Sequence, residues 1–121
     1  MKDNPQRVQE FGYRKPRFRA DFHILLQTEA PDSRLLDARC TDISEDGLAA
    51  RVTEPLTLGS HVAFILTLPG SSIPVRIAAI VNNQQQETYG FTFVFSSQAE
   101  RSLIHGYLAR LQRQAGGSSR T

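Results

Sequence analysis

Over most of the chain, apolar residues come in short runs separated by turn residues, and the spacing inside the runs is that of strands. Phe22 to Gln27 (FHILLQ) is the first such run, and Glu29 to Ser33 (EAPDS) is a turn cluster. Leu35 to Ile43 alternates, which places Leu36, Ala38, Cys40 and Asp42 on one side and Leu35, Asp37, Arg39, Thr41 and Ile43 on the other. Ser44 to Gly47 (SEDG) reads as a turn whose glycine supplies backbone freedom, and Leu48 to Val52 returns as the hairpin partner. Pro55 to Ser60 is a loop, Val62 to Leu68 a fourth strand, and Pro69 to Ser72 (PGSS) a turn. Ile73 to Val81 is a fifth strand, Asn82 to Glu87 a polar turn, and Tyr89 to Phe95 a sixth strand with Phe91, Phe93 and Phe95 at period two.

Then the period changes. Ser97 stands three residues before Glu100, the spacing of a helix capping box. After it, Leu103, Ile104, Tyr107, Leu108 and Leu111 recur at helical spacing and form one apolar stripe, so the expected helix runs from about Ser97 to about Gln114. Six short strands joined by tight turns predict an all-β fold: a six-stranded antiparallel β-barrel, closed or nearly so. The C-terminal α-helix is expected to pack on the barrel or plug one opening. Residues 1–12 read as a flexible N-terminal tail, 13–114 as the barrel domain with its helix, and 115–121 (AGGSSRT) as a flexible tail.

With 121 residues, 40% of them apolar and 21% charged, the chain suits a single globular domain. No apolar run is long enough to span a bilayer or to serve as a signal peptide, so the expected location is the cytoplasm, with no membrane partner. The lone cysteine, Cys40, forms no internal disulfide and lies in an apolar run, where a small buried hydrophobe is expected. The net charge is only +2, but its distribution is uneven: six basic residues fall between Lys2 and Arg19, four of them between Arg14 and Arg19. That concentration of positive potential suits a partner carrying phosphate.

Catalytic chemistry finds little to work with. His23, His61 and His105 lie in different elements without metal-ligand spacing, and a single cysteine excludes a Cys/His zinc pattern. There is no nucleophile elbow and no phosphate-binding loop. The expectation is a protein that is not an enzyme and needs no metal or cofactor.

Two segments carry the candidate chemistry. In Arg14-Lys15-Pro16-Arg17-Phe18-Arg19, Pro16 forbids helix and makes the residue before it extended, so the basic side chains splay from an extended arm leading into the first strand. Guanidinium forks match phosphate oxygens and the guanine O6/N7 edge. In Asp42-Ile43-Ser44-Glu45-Asp46-Gly47, a carboxylate ends a strand, a serine opens the turn and a glycine closes it. Taken singly, the first segment is better read as a solvated linker and the second as ordinary turn chemistry.

Together and in this order, the two segments resemble the PilZ family of cyclic di-GMP receptors, marked by Arg-x-x-x-Arg before the first strand and Asp/Asn-x-Ser-x-x-Gly further on. Asp42, Ser44 and Gly47 match the second motif in full. The first is matched with Lys15 in the first arginine slot and Arg19 in the second, preceded by Arg14. Leu58-Gly59, Leu68-Pro69-Gly70, Tyr89-Gly90-Phe91 and Glu100-Arg101 also look like the family, and the resemblance covers about residues 13–112.

The resemblance implies a ligand, cyclic di-GMP, held by Arg14, Lys15, Arg17, Arg19, Asp42, Ser44 and Gly47. Arg14 and Arg19 would take phosphate oxygens or guanine edges, and Arg17 would stack on a purine face. Lys15 would supply charge without a bidentate fork. Asp42 would accept from guanine N–H groups, Ser44 would meet a guanine edge, and Gly47 would let the turn approach closely. Ordering of the arm would then signal to an effector protein. Two other readings are weighed against this receptor. One is a degenerate PilZ-like interaction module that binds no nucleotide. The other is a single-strand nucleic-acid binder, which needs exposed aromatic platforms that the chain offers sparsely, so no nucleic-acid partner is expected.

Overall fold

The computed structural model describes residues 16–119, with side chains through Arg113. The strands are β1 (Phe18–Thr28), β2 (Leu35–Ile43), β3 (Gly47–Arg51), β4 (His61–Leu66), β5 (Val75–Gln85) and β6 (Thr88–Val94), followed by helix α1 (Gln98–Ser119). All neighbours are antiparallel, and the order β1-β2-β3-β6-β5-β4 closes into a barrel through pairing of β4 with β1. The expected six-stranded barrel with a C-terminal helix is the observed fold.

Alternation drives every strand but β3, whose first four residues are all buried. Ile24 and Leu26 of β1, Leu36, Ala38 and Cys40 of β2, Val62, Phe64 and Leu66 of β4, Ile77, Ala79 and Val81 of β5, and Tyr89, Phe91 and Phe93 of β6 all point into one core. Phe64 and Phe91 meet edge to face with ring centroids 4.9 Å apart, the geometry that aromatic quadrupoles favour. Tyr89 is fully interior but not stranded: its hydroxyl accepts from Leu56 N and Gln84 Nε2, both at 3.1 Å.

Helix α1 covers one opening. Ile104, Tyr107 and Leu108 join the core, and Tyr107 stands edge-on to Phe22 of β1 at 6.3 Å. Arg110 reaches the carbonyl of Pro69 in the β4–β5 turn, and Arg101 lies over the Phe95 ring at 4.8 Å. The helix start is capped as expected at Ser97, whose Oγ accepts from Glu100 N at 3.2 Å. The Glu100 carboxylate reaches back one residue further than a capping box requires, accepting from Ser96 N and Ser96 Oγ.

Several boundaries and faces differ from those expected. The stripe residue Leu103 is 45% exposed, because the helix meets the barrel over a narrower face centred on Ile104, Tyr107 and Leu108. The helix also continues beyond residue 114 to Ser119, into the stretch expected to be a tail. Propagation of an established helix adds one hydrogen bond per residue fixed and carries weak formers along. The first strand begins at Phe18, not Phe22, so the end of the basic arm is already strand. The fifth begins at Val75, since Pro74 has no N–H to give a ladder, and Ile73 is left exposed. Strand β5 then runs through the polar stretch expected to be a turn. Asn83, Gln84 and Gln85 pair with Gly90, Tyr89 and Thr88, and the reversal tightens to Gln86 and Glu87.

Candidate functional site

The candidate site is built where β1 and β2 both leave regular register. On β1 the pairing slips between Arg19 and Phe22; on β2 it slips between Cys40 and Asp42, with Thr41 as the extra residue. Such bulges re-aim the side chains that follow. Here they overturn the simple alternation expected for β2. Asp42 turns outward with Thr41, and Ile43 turns in and is fully buried.

Arg19 is thereby placed directly across the ladder from Asp42. Opposed residues on an antiparallel pair share a face. With Ala20, Asp21 and Thr41 they line an open depression of about 690 Å³ on the outer wall. Arg17, two residues before Arg19, reaches across so that its Nη2 stands 2.5 Å from Asp42 Oδ1. Asp21 is met by Arg39 Nε at 2.7 Å. Asp21 and Thr41 also border a second depression of about 460 Å³ whose lining includes His23, Asp37, Arg39 and Arg51. The outer wall of β1 and β2 is therefore one continuous charged surface. Among the described residues Arg19 has no ion-pair partner.

The β2–β3 turn is held from within. Ser44 is 3% exposed; its Oγ donates to the Gly47 carbonyl at 3.4 Å and accepts from Asp46 N at 3.3 Å, while Ser44 N donates to the same carbonyl at 2.8 Å. Phe93 N donates to the Asp46 carbonyl at 2.8 Å, docking the turn on β6. Gly47 is buried, and a Cβ there would stand 1.9 Å from the Phe91 carbonyl oxygen. The position demands glycine because two backbones nearly touch. The backbone freedom expected of this glycine is not what the fold uses: the positive-φ glycines are Gly59 and Gly70.

Beneath the site, Cys40 is fully buried and its thiol donates to the Asp42 carbonyl at 3.4 Å. Burial pushes its pKa up to about 12, and the Asp42 charge adds to the shift. The thiol stays protonated and behaves as the buried hydrophobe expected of it.

The structure thus brings Arg19 and Asp42 together at one depression, with Arg17 paired to Asp42 and with Ser44 and Gly47 shaping the adjoining turn. Arg14 and Lys15 lie outside the described residues. Asp21, Arg39 and Thr41 were not singled out from the sequence. Their ordinary strand alternation gave no signal, and only the paired bulges bring them to the site. Among the described residues no three His, Cys, Asp or Glu side chains are grouped to hold a metal ion, and no helix is long and apolar enough to cross a membrane. Every aromatic side chain among them is buried or packed against the core.

Comparison with known proteins decides the family. The family model of the PilZ domain matches residues 13–110. The chain belongs to the PilZ family. PilZ domains are receptor and adaptor domains; here Arg19 and Asp42 lie on the β1–β2 wall, and Ser44 and Gly47 at the β2–β3 turn. Its fold is similar to that of the PilZ domain of YcgR from Escherichia coli with c-di-GMP, with a TM-score of 0.65 at 17% identity over 89% of this chain and 97% of that one. The longer YcgR chain from Escherichia coli in complex with c-di-GMP superposes with a TM-score of 0.66 at 20% identity, over 88% of this chain and 48% of that one. MrkH from K. pneumonia in complex with c-di-GMP gives 0.65 at 20% identity, over 87% and 54%. The chain therefore spans about half the length of these two longer proteins and nearly all of the single PilZ domain. No curated protein matches by sequence.

Proposed function

We propose that this PilZ domain is a receptor for cyclic di-GMP that fixes its basic arm over the bound nucleotide and thereby signals to an effector protein. The observation that carries the reading is the pairing of Arg19 with Asp42 on one outward depression, with Arg17 reaching Asp42 beside it. Two cations and one carboxylate suit a ligand with two phosphates and two guanines. Arg19 offers a fork to a phosphate or to guanine O6/N7, and the Asp42 carboxylate accepts from guanine N–H groups.

Arg17 is paired with Asp42. Ligand binding exchanges that contact for guanine on Asp42, and frees Arg17 to move onto phosphate or a purine face. An exposed ion pair of this kind is worth less than about 1 kcal/mol, so it holds the site in shape without blocking exchange. Arg14 and Lys15 add charge from the arm. Ser44 contributes through the turn, whose closed geometry it maintains. The c-di-GMP complexes of YcgR and MrkH support the choice of ligand.

Isothermal titration of the full chain with cyclic di-GMP tests the reading. The expected result is binding at micromolar or tighter affinity, with new protection of the arm in amide exchange. Absence of heat at high ligand concentration overturns it and leaves the nucleotide-free interaction module.

A further inference from the structure

The turn that borders the site also touches the helix at the end of the barrel. His105 Nε2 of α1 stands 3.3 Å from Oε1 of Glu45, the residue after Ser44 in that turn, with the two side chains 45% and 34% exposed. Beside this contact lies a crevice of about 190 Å³ whose lining includes Pro16, Phe18, Glu45, His105 and Leu108. Pro16 and Phe18 flank Arg17. Neighbours on an extended chain face opposite ways, so the arm presents Arg17 to Asp42 while its flanking residues line the crevice against the helix. Arm, turn and helix therefore meet at one junction.

The turn cannot shift by itself at this junction. Its internal hydrogen bonds, the Phe93–Asp46 bond and the Gly47–Phe91 approach make it one rigid piece with the end of β6, from which α1 follows almost directly. Glu45 thus lies against His105, and Phe18 of the arm shares the crevice with Leu108 of the helix.

We infer that this junction couples the nucleotide site to helix α1, with His105 as a positioning residue that ties Glu45 of the rigid turn to the helix. The inference rests on the receptor reading above and adds the element on which occupancy is felt. Coupling of this kind is reciprocal: what the ligand does to the helix, a change in the helix does to affinity.

The test is a titration of the 15N-labelled full chain with cyclic di-GMP, with calorimetry in parallel, on wild type, His105→Ala, His105→Gln and Glu45→Gln. In the wild type the amides of Ile104 to Leu108 are expected to shift on saturation. His105→Ala and Glu45→Gln are expected to weaken binding about two- to fivefold, the reach of a part-exposed polar contact, and to shrink the helix shifts. His105→Gln keeps a donor towards Glu45 and is expected to recover most of both, which a merely structural role would not require. Wild-type binding with unmoved helix amides and unchanged affinity in His105→Ala overturns the coupling while leaving the receptor reading intact. Absence of wild-type binding removes the receptor reading and the coupling with it.

Discussion

The Ser44–Gly47 turn and the Arg17–Arg19 stretch adjoin one depression, yet they are built in opposite ways. The turn is interior: Ser44 and Gly47 are buried, its polar groups bond to one another, and its glycine is pressed against the backbone of β6. The arm is exterior: Arg17 and Arg19 are exposed, and their contacts are side-chain charges on a strand end. Both halves belong to the same family signature, but physics asks different things of them. Glycine and serine in the turn are demanded by the fold whether or not a ligand binds. Arg17 and Arg19 make one ion pair among the described residues, Arg17–Asp42, so the fold asks much less of them than of the turn.

Gly47→Ala should draw the comparison most sharply. Its new Cβ meets backbone that cannot swing aside, and a loss of about 3 kcal/mol or more is expected, lowering the thermal midpoint by roughly 10 °C or more. The control is Gly90→Ala, where the nearest atoms belong to the Asn83 side-chain amide, which can rotate away; a loss below about 1 kcal/mol is expected. Equal melting curves for Gly47→Ala and wild type would break the claim that the turn is fixed by packing.

Arg19→Ala and Asp42→Ala should do the reverse. Each is expected to weaken cyclic di-GMP binding by about 1–3 kcal/mol, tenfold to more than a hundredfold by calorimetry. Melting should stay within about 0.5 kcal/mol of wild type, as for other surface changes. Ser44→Ala tests the border between the halves. It strips Asp46 N of its acceptor, and a stability loss of about 1 kcal/mol is expected by chemical denaturation. A Ser44→Ala protein of unchanged stability that has lost the nucleotide would move Ser44 into the ligand-contact half. The smallest effect is a gain: Lys15→Arg restores a fork in the first arginine slot and should tighten binding about three- to tenfold.

Much of this architecture was legible from spacing alone. Period-two runs gave six strands, and the switch to helical spacing after Ser97 gave the helix, because burial on one side of each element writes itself into the order of residues. The candidate site was legible as two motifs, not as a place. The bulges at Thr41 and after Arg19 left no mark in the apolar pattern, yet they set which way Asp42 and Ile43 point. The polar end of β5 escaped for a related reason. Asn83 to Gln85 bury little, so backbone pairing with β6 makes them strand without any hydrophobic signal. Leu103 was misplaced because helical spacing reports a stripe but not how wide a face its neighbour will cover.

The pairing of Leu25, Leu26, Gln27 and Thr28 with Ile65, Phe64, Ala63 and Val62 closes the ring. Along this seam no row of amides is left open, so another polypeptide cannot zip on between β1 and β4 there. The seam ends at Leu25, and the stretch of β1 that carries Arg19 is paired with β2 on its other side.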